Sequence, residues 1–313
     1  MRVVFMGTPD FSVPSLQALL DAGHEVAGVF TQPDRPKGRG GKVQMSPVKE
    51  LALKRGIAVY QPVKIRLDGL EPLRQLAPDV CVTAAFGQIL SEEVLAVPRL
   101  GTVNVHASLL PRHRGAAPIQ WAILSGDAET GVTTMLTDKG LDTGDMLLKA
   151  KTPIGSGDTA GTLTERLSHI GAELLVETLN RLEAGDCPRE KQDESQSTYE
   201  PKVNKELGRL CFEEGTQKCL LRVRAMCPWP CAFAELAQGV LKVWSAAPAQ
   251  GRPGAPAGEV LSAGRRDGLV IATADGAIEL CEVQAPNAKR MDARAFLLGH
   301  PIPEGAMLNE VRL

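Results

Sequence analysis

A chain of 313 residues with 43% apolar content is long enough for about two domains and apolar enough to bury a core without disulfide or metal staples. Its formal net charge of -2 excludes a global field drawing it onto nucleic acid or an anionic membrane, so any polyanion contact must come from local basic segments. No run approaches the roughly 20 apolar residues of a membrane span, and the apolar run at residues 3–6 is too short for an export signal, so a cytoplasmic location is expected.

In chain order, the first half alternates short apolar runs with helical spacing, the pattern of a parallel sheet covered by helices. Residues 2–6 read as a buried strand ending in the turn Gly7-Thr8-Pro9, residues 13–20 as the first helix, closed by Gly23, and residues 25–31 as a second strand. After a loop, residues 47–55 read as helix and 58–60 as the start of another strand, with further strands at 79–84 and 102–105. Helical spacing at 119–124 is followed by β-branched, strand-like residues at 131–136 and by a strand at 146–154. A long helix comes next, in which Leu163, Leu167, Ile170, Leu174, Leu175, Leu179 and Leu182 share one face, as packing against a sheet requires.

Residues 185–207 are charged and rich in Ser, Gln and Thr, which predicts a connection between domains with a short ordered piece around Tyr199. Beyond it lie a helix at 216–226 and strands at 240–244, 258–261, 268–273 and 277–283, separated by Gly and Pro turns. That spacing suggests a small antiparallel barrel, with the Ala/Pro/Gly-rich tract 246–258 as a surface loop. Seven cysteines are scattered, and the nearest pair, Cys227 and Cys231, has no histidine near it. Neither a redox motif nor a zinc site follows, so reduced thiols and no metal are expected.

Two runs carry the chemistry. In Asn104-Val105-His106-Ala107-Ser108-Leu109-Leu110-Pro111, residues two apart on a strand point the same way, so Asn104 and His106 present an amide and an imidazole side by side. The chain leaves the sheet there at the carboxyl end of a strand, where open α/β sheets bind ligands. Taken alone, Asn-x-His is weak evidence, and a satisfied structural histidine is its more common meaning. In Gly140-Leu141-Asp142-Thr143-Gly144-Asp145, two glycines let a loop turn tightly and bring backbone close to a ligand; a solvated turn is the plainer alternative.

Together these runs resemble the folate-dependent formyltransferases, in which an Asn-x-His on a strand faces an Asp from a later loop. The resemblance extends to Gly7-Thr8-Pro9-Asp10-Phe11, Thr31-Gln32-Pro33-Asp34-Arg35-Pro36, Ser46-Pro47-Val48-Lys49 and Pro228-Trp229-Pro230. It implies an α/β, Rossmann-like formyltransferase domain with a mostly parallel sheet over residues 1–185, a linker over 186–207, and a C-terminal OB-like β-barrel over 208–313. It also implies a catalytic set of Asn104, His106 and Asp142, and a folate site drawing on Ser108, Leu109, Leu110 and Pro111. The pterin pocket is expected near residues 86–90 and the loop before Asp142. The residue types suit the reaction, because formyl transfer to an amine develops an oxyanion at which donors must be aimed. Asn104 offers an amide N–H, and a protonated His106, stabilised by the Asp142 carboxylate, offers a charge-assisted bond. Asp142 also relays the proton lost by the amine, directly or through water.

The acceptor is read from the basic loop at residues 32–45, where Arg35, Lys37, Arg39 and Lys42 stand among three glycines. Such a loop can order around a phosphate backbone. In the branch of the family that acts on initiator methionyl-tRNA, the matching insertion contacts the acceptor end, which implies tRNA-binding roles for Arg39 and Lys42. That branch implies 10-formyltetrahydrofolate as donor, initiator methionyl-tRNA as partner, a monomer and no metal; the alternative is a sugar-nucleotide formyltransferase using the same donor. Arg112, His113 and Arg114 are read as a guide for a polyanionic acceptor end, and Trp229 and Trp244 as barrel core. Two features depart from the branch: Cys227 stands where relatives usually carry Asn, and the C-terminal domain is nearly neutral. A nicotinamide enzyme is disfavoured because the turn at residues 7–12 lacks the second and third glycines of a dinucleotide fingerprint.

Overall fold

Val3, Val4, Phe5 and Met6 are all fully buried, as a strand covered by helices on both faces requires. The strand they form, Arg2–Gly7, is the middle one of the five parallel strands in a seven-stranded sheet. In space the order is Met146–Pro153, Glu129–Leu136, Thr102–His106, Val80–Ala84, Arg2–Gly7, Glu25–Phe30, Val59–Tyr60. The last five of these run parallel, and the first two are antiparallel to their neighbours. The computed structural model describes residues 1–37, 42–236 and 239–309. By contacts the chain divides into two units, residues 1–118, 129–153 and 164–200, and residues 119–128, 154–163 and 201–313.

In the first unit, successive strands leave the central one in opposite directions: Glu25–Phe30 pairs on one side and Val80–Ala84 on the other. That reversal is a topological switch point, the crevice where α/β sheets take ligands. Polar groups close it: Thr8 Oγ1 donates to the Phe86 carbonyl at 3.2 Å, and Gln32 Nε2 donates to the same oxygen at 3.1 Å. The helix Pro47–Lys54 begins with Ser46, whose side chain accepts from the Lys49 N–H, satisfying one of the free donors of a helix start. The long helix Ala160–Ala184 buries Leu163, Leu167, Leu174, Leu175, Leu179 and Leu182. Its Gly171 lies so near the sheet that a Cβ there would sit 2.8 Å from Val105 Cγ1. Val105 thus faces the helix, which turns Asn104 and His106 to the opposite face.

The loop expected at residues 32–45 contains a hairpin stem, Arg35–Lys37 paired antiparallel with Lys42–Gln44. Arg39 lies outside the described residues, as does the side chain of Lys42. Helices Leu70–Leu76 and Glu92–Leu95 were not read from the sequence. No described helix is long and apolar enough to cross a membrane.

In the second unit, the helix Thr216–Met226 buries Cys219, Leu221, Val223, Ala225 and Met226. An antiparallel sheet runs Ala232–Leu236, Gly239–Ala249, Gly276–Gln284, Gly268–Thr273, Val260–Gly264, and Met291–Asp292 pairs with Gly276–Gln284. The tract read as a surface loop from residue 246 begins instead inside a strand, where Ala246 to Ala249 pair with Leu280 to Ala277. Pro248 is tolerated because pairing with Ala232–Leu236 ends at Val243, leaving the far side of this stretch an edge. Trp229, expected in the core, is 57% exposed. Trp244 is half-buried, with the Arg290 guanidinium 4.9 Å over its ring.

All seven cysteines are free thiols. Burial pushes Cys81 and Cys219 up to about 12 and Cys231 up to about 11. The thiolate is the reactive form, so alkylation of the native protein at pH 8, read by mass spectrometry, is expected to spare these three. The sign for stability follows by linkage. Released from burial, the thiols titrate near 9, so above that pH the unfolded chain gives up protons the folded chain keeps, and stability falls as pH rises.

Candidate active site

The strand Thr102–His106 lies beside Val80–Ala84 in a register that places Asn104 next to Thr83. Thr83 Oγ1 donates to Asn104 Oδ1 at 2.9 Å. An amide has one oxygen and two N–H donors, so engaging the oxygen orients Nδ2 outward as a donor. Among the described residues no acceptor takes it.

His106 is 6% exposed. Its Nε2 lies 2.9 Å from the carbonyl of His113, and a carbonyl only accepts, so Nε2 carries the hydrogen. That leaves Nδ1 as the ring nitrogen available to a substrate. It faces Asp142 Oδ1 at 3.7 Å, too far for a hydrogen bond. The other carboxylate oxygen of Asp142 accepts from Gly115 N–H at 2.8 Å, which fixes the plane of the group. With Nε2 protonated, a neutral ring offers a lone pair at Nδ1, and two acceptors then face each other across the gap. Such a gap suits a proton donor, either a second ring proton or an N–H of an incoming amine.

The loop leaving the strand is braced from inside. Ser108 is fully buried; its hydroxyl donates to the Arg112 carbonyl at 2.7 Å, and its own carbonyl accepts from Thr133 Oγ1 at 2.7 Å. Thr133 in turn accepts from Leu110 N–H at 3.1 Å. Leu110 is 2% exposed and packs with Met135 and Met146. Of the four residues that the resemblance gives to folate, Leu109 and Pro111 are half-buried and present surface, whereas Ser108 and Leu110 hold the loop in shape. Phe86 and Leu90 belong to the core of the first unit, while Ile89 is 87% exposed.

Asp142 adopts a left-handed backbone, φ 56°. Its loop needs glycine for a reason other than ligand approach: a Cβ on Gly144 would lie 1.8 Å from the Leu136 carbonyl of the preceding strand. Gly144→Ala must therefore displace the loop. A loss of about 1 to 3 kcal/mol in chemical denaturation, with activity falling more than stability, is the expected outcome.

The reading of residues 112–114 as a basic guide is corrected. Arg112 is exposed, but His113 and Arg114 are 4% and 2% exposed and are paired with acids. His113 Nδ1 lies 2.8 Å from Glu200 Oε1, and Arg114 makes a two-point contact with Glu194 at 2.9 and 2.8 Å. The contact holds the Glu194 carboxyl below its usual range. These acids sit in the stretch read as an interdomain linker, which up to Glu200 packs with the first unit. Its strand Tyr199–Glu200 pairs with Arg114–Gly115, and its Gln192 and Thr198 also bond the site. Sequence reasoning missed Thr83, Gln192, Glu194, Thr198 and Glu200, since none has periodicity or a motif to mark it. Among the described residues, no group of three or more His, Cys, Asp or Glu could hold a metal ion.

Comparison with known proteins identifies the fold and the family. The formyl transferase model matches residues 1–179, and the model of the formyl transferase C-terminal domain matches residues 202–301. Methionyl-tRNA formyltransferase of Citrifermentans bemidjiense is 49% identical over 99% of this chain and 97% of its own. The N-formyltransferase from Helicobacter canadensis, solved with folinic acid and dTDP-3-aminofucose, aligns with a TM-score of 0.67 at 20% identity, covering 92% of this chain and 99% of that one. HypX from Aquifex aeolicus, solved with tetrahydrofolic acid, aligns with a TM-score of 0.63 at 22% identity over 95% of this chain and 47% of its own, so this chain spans about half its length. At those identities the structures speak for the fold; the sequence matches speak for the family. The chain belongs to the formyltransferase family and, within it, to the methionyl-tRNA formyltransferases.

Proposed function

We propose that the protein transfers the formyl group of 10-formyltetrahydrofolate to the α-amino group of methionine on initiator methionyl-tRNA, as a cytoplasmic monomer. The carrying observation is an outward amide at Asn104, two residues from His106 on one strand face, with His106 Nδ1 facing Asp142 Oδ1 across 3.7 Å. This donor set fits a formyl donor: an amide N–H for a carbonyl oxygen, and an imidazole with a carboxylate for an amine. The donor substrate supplies the formyl carbon and a nitrogen leaving group.

Asn104 Nδ2 stabilises the oxygen on which negative charge develops. His106 Nδ1 and Asp142 Oδ1 receive the attacking amine between them, orient its lone pair toward the formyl carbon and take its proton, which the leaving nitrogen then recovers. Leu109 and Pro111 line the donor's place, with Ser108 and Leu110 holding their loop behind them. Arg39 and Lys42 bind phosphates of the tRNA acceptor end, a role supported by the basic, Gly-rich sequence of residues 35–42. The identity of 49% with a methionyl-tRNA formyltransferase over nearly the whole of both chains supports tRNA as acceptor over a sugar nucleotide.

A competition assay tests the acceptor. Purified protein with 10-formyltetrahydrofolate is offered methionine-charged initiator tRNA and dTDP-3-aminofucose together. Formyl-methionine on the tRNA is the expected product, whereas a formylated sugar with untouched tRNA would replace this reading with the sugar-nucleotide one.

A further inference from the structure

Two carbonyls of the catalytic loop, those of Asp142 and Gly144, each accept a hydrogen bond from Gln192 Nε2 at 2.8 Å. The oxygen of the same side chain accepts from Arg114 Nε at 2.9 Å. Arg114 is buried and gripped at its other end by Glu194. An amide offers two N–H donors and one acceptor oxygen. All three are used here, so the orientation of Gln192 is fixed: turning the amide over would set its oxygen against two carbonyls.

What Gln192 holds is a strained element. Asp142 is a non-glycine residue at φ 56°, a conformation that persists only when its surroundings impose it. The carbonyls gripped belong to Asp142 itself and to a residue two further on, so the clamp closes around the residue whose carboxylate faces His106 Nδ1 across 3.7 Å. None of these bonds touches the carboxylate, whose Oδ2 accepts from Gly115 N–H while Oδ1 faces the gap to His106.

We infer that Gln192 is a positioning residue for formyl transfer, keeping the Asp142 carboxylate at its working distance from His106. This rests on the function proposed above. It predicts that Gln192 acts on the chemical step alone, and only through Asp142.

The test is a double-mutant cycle on the full chain, read by single-turnover formyl transfer to methionine-charged initiator tRNA. Gln192→Glu is the informative change: its carboxylate still accepts from Arg114 Nε and keeps the volume, but it offers no N–H to the two carbonyls. The transfer rate is expected to fall about tenfold to a hundredfold, as misplacement of a catalytic group does. KM for donor and tRNA should stay within about twofold. In an Asp142→Asn background the same substitution should cost less than about twofold, because the group it positions is gone. Gln192→Ala, judged beside its thermal melt, must follow the same pattern. An unchanged rate in Gln192→Glu, or a full-sized further loss in the Asp142→Asn background, would overturn the inference. Absence of transfer by the unsubstituted protein would overturn the proposed function instead, so the two failures are told apart.

Discussion

Asp142→Asn is expected to lower the turnover of formyl transfer by about 10²- to 10⁴-fold, the range for loss of a positioned acid-base group. The substitution keeps the volume and leaves an oxygen that can accept from Gly115 N–H. The loop itself is held through backbone carbonyls by Gln192, so the fold has no reason to move. What disappears is the negative charge across the gap from His106 Nδ1 and with it the group proposed to take the amine's proton. The loss should therefore appear equally in kcat and kcat/KM, with donor binding intact, the pattern of an interaction made only in the transition state. Steady-state kinetics beside equilibrium titration of the folate donor checks this. A weakened KM at unchanged kcat would instead give Asp142 a binding role.

Asn104→Ala is expected to cost about 10²- to 10³-fold in kcat, as removal of one oxyanion donor does. Thr83 gives this prediction a second arm. Its hydroxyl holds Asn104 Oδ1, and Thr83→Val removes the hydroxyl at nearly constant shape. One neutral hydrogen bond is worth about 1 kcal/mol, so a loss of roughly fivefold in kcat is expected from a misdirected amide. In the Asn104→Ala background Thr83→Val should add little, because nothing remains to be oriented. Equal losses in both backgrounds would mean that Thr83 matters for packing alone.

The sheet was legible because its strands are apolar runs without alternation: Val3 to Met6 and Val80 to Ala84 are buried nearly without exception. The long helix was legible because Leu163, Leu167, Leu174 and Leu179 mark one face and all four are buried. Asn104, His106 and Asp142 came from the motifs that carry the family resemblance; the approach of His106 to Asp142 depends on a fold that brings residues 106 and 142 together. The polar frame around them had no such signal. Arg114 and Glu194 are 80 positions apart, and His113 and Glu200 are 87 apart. A basic triplet after a motif reads as surface until its acidic partners are seen. The same blindness made residues 186–200 look like a tether: charged and hydroxylated side chains that satisfy a buried site have the composition of a solvated linker. Trp229 erred the other way, since an indole is read as core by its size while this one is 57% exposed.

Formyl transfer from labelled 10-formyltetrahydrofolate to methionine-charged initiator tRNA is the most direct test of the proposed activity. The unsubstituted protein would be run beside a variant carrying Asn104→Ala, His106→Ala and Asp142→Asn together. Formyl-methionyl-tRNA is expected from the first and none above the uncatalysed background from the second, with both proteins folded by circular dichroism. Transfer surviving in the triple variant, or absent from the unsubstituted protein, would contradict the proposal.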